Sequence, residues 1–80
     1  MKTQEAIVIR IRNLCRERNI SVNNLATISA VAPSTIKNIM YGTSQNTGVV
    51  TIAKICNGLD ITLTEFFGDE IFLTLDQEID

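Results

Sequence analysis

The stretch LATISAVAPSTIKNIMYG, Leu25 to Gly42, decides how this 80-residue chain folds. Two short helical patterns meet at Ala30-Val31-Ala32-Pro33 with almost no loop between them. Pro33 cannot continue a helix from upstream, because it lacks an N–H and its ring clashes with the preceding turn. At the first position of a new helix it is well suited. The spacing therefore predicts one helix ending near Ser29 and another starting at Pro33. The second carries Ile36, Ile39 and Met40 inward and ends at Gly42. Ala32 is a poor N-cap for it. Ala26, on the inner side of the first helix, is small enough to let another helix approach closely.

Upstream, Ile7, Ile11, Leu14 and Cys15 fall at i, i+4, i+7 and i+8, one apolar stripe of a helix from about Thr3 to Arg18. Asn19 suits the left-handed position that ends it. Ser21 is a good N-cap for the next helix, from Val22. Downstream of Gly42 comes a polar loop, Thr43 to Asn46. Thr47 is expected to cap a fourth helix, Gly48 to about Asn57, with Val49, Ile52, Ile55 and Cys56 inward and Gly58 ending it. Thr62 and Glu65 form a capping box for a short fifth helix, Leu63 to Phe67. Gly68 closes the unit. The tail, DEIFLTLDQEID, reads as extended, with Ile71, Leu73 and Leu75 alternating against Phe72, Thr74 and Asp76. The expected architecture is all-α: a five-helix domain over residues 1–68, then an acidic tail over 69–80.

Composition narrows the chemistry. The chain is 45% hydrophobic with no Trp, so aliphatic residues must build its core. No apolar run exceeds Ala6 to Ile9, far short of the ~20 residues that span a bilayer. The N-terminus does not read as a signal peptide, and a cytoplasmic location is expected. There is no histidine, which removes the commonest general base and metal ligand. Cys15 and Cys56 fall within apolar helical patterns and read as buried free thiols. Neither they nor the tail acids have metal-ligand spacing. No glycine-rich phosphate loop and no nucleophile paired with a base is present, so no enzyme, cofactor or small-molecule ligand is expected.

Charge is split along the chain. The net charge is −2, but residues 1–54 hold all seven basic residues and only Glu5 and Glu17, a balance of +5. Residues 55–80 hold seven acids and no base, a balance of −7. Such a chain can present a basic face to a polyanion despite its negative total.

Two short helices joined by a tight turn form a helix-turn-helix, in which the first helix crosses the phosphate backbone and the second enters the major groove. At this point the chain resembles the lambda repressor/Cro-like, or XRE-family, helix-turn-helix regulators. The resemblance runs from about Ile7 to Gly68 and is carried by IRNLCRERNIS, NNLATISAVAPSTIKNIMYG and TIAKICNGLDITLTEFF. It implies sequence-specific binding of double-stranded DNA by a small transcriptional regulator, with repression as the default expectation. In that family the turn-entry residue is usually Gly, and here it is Ala30. The Val22 position is often a Gln that bonds a phosphate; Val22 has only its backbone N–H to offer. The family's buried Arg–Glu ion pair is replaced at both ends, by Cys15 and Met40, so no charge is stranded and the two are expected to touch.

On a 3.6-residue wheel Ser34, Asn38 and Tyr41 point away from Ile36 and Ile39, with Lys37 flanking them and Pro33 at the leading edge. These five are the candidate base contacts. Asn38 matches adenine N6 and N7, Lys37 guanine or phosphate, and Pro33 a thymine methyl. Tyr41 reads equally well as a phosphate contact or a cover for the core edge. Val22, Asn23, Ser44, Asn46 and Thr47 are the candidate phosphate contacts, the last three beside the free N–H groups that open the fourth helix. Arg10, Arg12 and Arg16 read as a solvated helix face.

One such motif reads only a few base pairs, so a homodimer is expected; the tail's apolar edge pairs with that of a second chain, the favoured alternative, or folds back on its own core, with the tail acids turned away from DNA. The rival reading is a protein-interaction module of the antitoxin or anti-repressor type built on the same fold.

Overall fold

The computed structural model describes residues 1–42 and 44–78; positions 43, in the polar loop, and 79 and 80, in the tail, lie outside it. Five α-helices follow one another: α1 (Thr3–Glu17), α2 (Val22–Ser29), α3 (Pro33–Tyr41), α4 (Val49–Gly58) and α5 (Leu63–Phe67). A 3-10 turn, Glu70–Thr74, follows α5. The described residues contain no strand. The helices enclose one core. α1 contributes Ile7, Ile11, Leu14 and Cys15, and α2 contributes Leu25 and Ala26. Ile36, Ile39 and Met40 come from α3, and Ile52, Ile55 and Cys56 from α4. Leu59 and Phe66 complete it. Cys15 and Met40 are both inside this cluster, where an apolar pair needs no compensating charge.

One device ends three of the helices. After α1, the N–H of Ile20 donates to the carbonyl of Cys15 at 2.9 Å and that of Asn19 to Arg16 at 3.2 Å. After α2, Val31 donates to Ala26 at 3.2 Å and Ala30 to Thr27 at 3.3 Å. After α4, Ile61 donates to Cys56 at 3.0 Å and Asp60 to Asn57 at 3.2 Å. Each is a Schellman closure, with a left-handed residue followed by an apolar one. The left-handed residues are Asn19 (φ 55°), Ala30 (φ 53°) and Asp60 (φ 57°), none of them glycine. The apolar partners Ile20, Val31 and Ile61 pack against the core. That packing holds the strained residues in place.

Gly58 therefore does not end α4 as expected; it is the helix's last residue, and its reason is space. A Cβ there would sit 2.7 Å from the Ser29 hydroxyl and 2.8 Å from the Ile28 carbonyl oxygen. The missing side chain is what lets α4 lie against α2, the most extensive helix pairing in the molecule. Thr47 does not cap α4 either. The N-cap is Gly48, with no side chain accepting a bond there.

The tail also departs from expectation. Residues 70–74 wind into a 3-10 turn, with the Asp69 carboxylate accepting from the Ile71 N–H at 2.9 Å. With about three residues per turn, Phe72 and Leu75 fall on one side. Phe72 packs against Phe67 at 5.0 Å and Phe66 at 5.9 Å between ring centroids, while Leu73 is 83% exposed. The predicted alternation is thus broken, and with it the apolar strand edge. Beyond the turn the chain runs back over the start of α1. The Asp76 N–H donates to the Met1 carbonyl at 2.8 Å, and the Met1 ammonium meets the Asp76 carboxylate at 2.9 Å.

Candidate nucleic-acid interface

The two helices of the opening stretch are set by their ends. Ser21 caps α2, its hydroxyl accepting from the Asn24 N–H at 3.1 Å. The left-handed Ala30 turns the chain, and Pro33 opens α3 after only Val31 and Ala32. Ile36, Ile39 and Met40 are buried, which turns the other side of α3 outward. Pro33, Ser34, Lys37 and Asn38 are all exposed. Tyr41 is 67% exposed, so it stands in solvent rather than covering the core edge.

A groove of about 330 Å³ runs between α3 and the start of α4, lined by Thr35 and Asn38 on one side and by Ser44, Asn46, Thr47, Gly48 and Thr51 on the other. It joins the base-contact candidate Asn38 to three of the phosphate-contact candidates. Gly42 makes the short connection possible. A Cβ at Gly42 would lie 2.9 Å from the Asn38 Cα, and the N–H groups of Gly42 and Ser44 both donate to the Asn38 carbonyl, at 3.2 and 3.4 Å. Val22 and Asn23 do not line this groove. They open α2, Asn23 exposed and Val22 half-buried against the core.

Gln4 on α1 holds the loop from behind. Its Oε1 accepts from the Thr47 N–H at 3.1 Å, and its amide nitrogen donates to the Thr47 hydroxyl at 2.8 Å. The Thr47 N–H and hydroxyl are thus engaged within the protein. What remains free to face outward at this point is the opening of α4, whose first N–H groups have no partner inside the helix. Thr35, Thr51 and Gln4 were not legible as site residues. The Gln4–Thr47 contact joins positions 43 apart and has no local sequence signal.

The basic residues do not act as one face. Arg10, expected on a solvated face, is turned into the fold. Its Nε donates to the Phe66 carbonyl and its Nη2 to the Glu65 carbonyl, each at 2.9 Å. Its Nη1 pairs with Asp69 at 3.2 Å, and its guanidinium lies 5.9 Å from the centre of the Phe66 ring. The guanidinium thereby satisfies the last carbonyls of α5, where a cation also suits the helix dipole. Arg12 reaches the Met40 carbonyl at the end of α3 at 3.5 Å. Lys37 is the cation that α3 itself presents.

One tail acid is tied back to the start of α1. Glu78 accepts from the Thr3 N–H at 3.3 Å and from the Thr3 hydroxyl. Those bonds hold its carboxyl below the usual range; for Asp76 the bond to the Met1 ammonium does the same. Burial pushes both the Cys15 and Cys56 thiols up, so neither is a thiolate at neutral pH. Among the described residues no group of three or more His, Cys, Asp or Glu could hold a metal ion, and no helix is long and apolar enough to cross a membrane.

Comparison with known proteins agrees with this geometry. A family model for the Cro/C1-type HTH DNA-binding domain matches residues 10–70. Among solved structures, the chain is similar to the prophage Lp1 protein 11, with 30% identity and a TM-score of 0.77 over 86% of this chain and 92% of the other. It is also similar to an HTH_3 family transcriptional regulator from Vibrio cholerae, with 27% identity and a TM-score of 0.73 over 88% of this chain. This chain spans only 39% of that regulator's length. No curated protein matches in sequence. With two helices set by a left-handed turn, an exposed polar face on the second, and a family match over most of its length, the chain belongs to the Cro/C1-type helix-turn-helix DNA-binding domains.

Proposed function

We propose that this protein is a small transcriptional regulator that binds double-stranded DNA sequence-specifically and represses by occupying its operator. The observation that carries the reading is the continuity of α3 with the start of α4. Ser34, Lys37, Asn38 and Tyr41 face outward along α3. Asn38 shares one groove with Ser44, Asn46 and Gly48, at a helix start that no side chain caps. In the major groove α3 meets base edges with the first set, while the second set and the free N–H groups of α4 meet a phosphate. Pro33 packs at the leading edge of α3. Val22 and Asn23, at the start of α2, meet the phosphates on the other flank.

Residues 1–68 form the DNA-binding domain in this reading, and two copies read two half-sites ~34 Å apart. In this reading the tail does not form their interface, because it is folded onto the start of α1. Selection of genomic fragments with the purified protein, followed by titration of Asn38→Ala and Lys37→Ala, tests the reading. Asn38→Ala should cost ~1–3 kcal/mol on the selected site and relax preference at one base position. Lys37→Ala should weaken selected and random duplexes alike if it meets phosphate. Duplex affinity that does not fall as salt rises would contradict the DNA reading and favour a protein-interaction module of the antitoxin or anti-repressor type.

A further inference from the structure

We propose that the acidic tail is an intramolecular brake on DNA binding: Glu78, latched to Thr3 at the start of α1, holds its carboxylate beside the loop that meets phosphate. The inference rests on the DNA-binding reading above and adds a regulatory contact to it.

The latch has two points. The Asp76 N–H donates to the Met1 carbonyl at 2.8 Å, fixing the path of the tail. Two residues on, Glu78 takes both the N–H and the hydroxyl of Thr3. Its place follows from its neighbours. Thr3 precedes Gln4, and Gln4 grips Thr47. Glu78 lines one cavity of about 480 Å³ with Asn46, Thr47 and Val49. It lines a second, of about 430 Å³, with Tyr41 and Ser44. Two cavities thus bring one carboxylate to the rim of the face formed by the end of α3 and the start of α4.

The chemistry there is unfavourable to a second anion. Glu78 is fully ionised at neutral pH, since the Thr3 bonds hold its carboxyl below the usual range. Lys2 lies close enough to act on both Glu78 and Asp76 and shares the Tyr41 cavity with Glu78. The tail thus adds a negative charge next to the phosphate path and compensates a positive one. Both effects reach a phosphate within about a Debye length, ~8 Å at physiological salt, and both fade as salt rises. Release of the tail removes the repulsion and leaves the charge of Lys2 uncompensated.

The test is equilibrium binding of the full chain and three single variants to a mixed-sequence duplex of about two helical turns, at low and at high salt. Glu78→Gln removes the charge and keeps an oxygen that can accept from Thr3. It should bind about 3- to 10-fold tighter at low salt, with the gap closing at high salt. Thr3→Val removes the hydroxyl of the latch and should tighten binding in the same direction. Glu70→Gln removes an equal charge from the 3-10 turn, away from both cavities, and should leave affinity unchanged. Far-UV circular dichroism of each variant shows whether the helices are retained. Binding by Glu78→Gln alone, with none by the parent chain, supports the brake most strongly. Equal affinity of the parent and Glu78→Gln overturns the brake and leaves the DNA reading standing, as does an equal gain from Glu70→Gln, which would make net charge the cause. No binding by any chain at low salt overturns both.

Discussion

Arg10→Ala should be among the most damaging single substitutions at a position outside the buried core. The side chain ties α1 to the end of α5 through two hydrogen bonds to the Phe66 and Glu65 carbonyls, both at 2.9 Å. A hydrogen bond to a charged group contributes ~1.5–3 kcal/mol, and the two here share one guanidinium. The ion pair to Asp69 adds at most ~1 kcal/mol, because the Asp69 side chain is 40% exposed and solvent screens it. Contact with the Phe66 ring adds ~0.5–1 kcal/mol. Truncation to Ala leaves two carbonyls at the end of α5 to water or to nothing, and loosens Phe66, which is fully buried. We expect a loss of ~2–4 kcal/mol, a large part of the ~5–10 kcal/mol available to a domain of this size. At ~4–8 °C per kcal/mol for 60–100 residues, Tm should fall by about 8–32 °C. Urea unfolding followed at 222 nm measures it, with the slope unchanged and the midpoint lowered. Arg10→Lys should recover only part, because one ammonium cannot fork to two carbonyls and a carboxylate. Asp69→Asn should cost no more than about 1 kcal/mol. A loss under ~0.5 kcal/mol for Arg10→Ala would refute the clamp, since that is the range of an ordinary surface change.

Three further outcomes are expected. Gly58→Ala gains ~1 kcal/mol of helix propensity but drives a Cβ to 2.8 Å from the Ile28 carbonyl oxygen, so the net should be a loss of ~1–2 kcal/mol by chemical denaturation. Adding Ser29→Ala should not rescue it, because the backbone carbonyl remains; a stabilised Gly58→Ala would mean the α2–α4 approach is looser than described. Gln4→Ala should free the loop at Thr47 and weaken duplex binding more than it lowers Tm, and a Tm loss with unchanged binding would assign Gln4 a purely structural role. Asp76 and Glu78 titrate below their ordinary values of 3.8 and 4.5, so docking of the tail is favoured above those values and lost as pH falls through the lowered ones. The Thr3 amide shift, followed by NMR, should therefore titrate with a midpoint below 4.5; a midpoint at or above it would mean that Glu78 gains nothing from the contact.

Local chemistry by itself determined the helices and the direction of α3. Ser21, Pro33, Asn19 and the Thr62–Glu65 box act within a few residues of where they stand, so the ends of α1, α2, α3 and α5 could be read directly. The 3.6-residue period put Ile36, Ile39 and Met40 inside, and with that Ser34, Lys37 and Asn38 had to face out. The tertiary structure decided whatever depends on a partner far along the chain. Gly58 reads as a helix terminator until α2 lies against it, when the Ile28 carbonyl explains why no side chain fits. Arg10 reads as a solvated cation until α5 ends above it with two carbonyls unmet. Thr47 reads as a cap until Gln4, 43 residues away, takes its hydroxyl. The tail reads as a strand because Ile71, Leu73 and Leu75 alternate; what overrides the pattern is Phe72, which has the Phe66 and Phe67 rings to pack on once the core is assembled. Alternation records which side chains can share a face, but the aromatic surface waiting beside Phe72 exists only after the helices have packed.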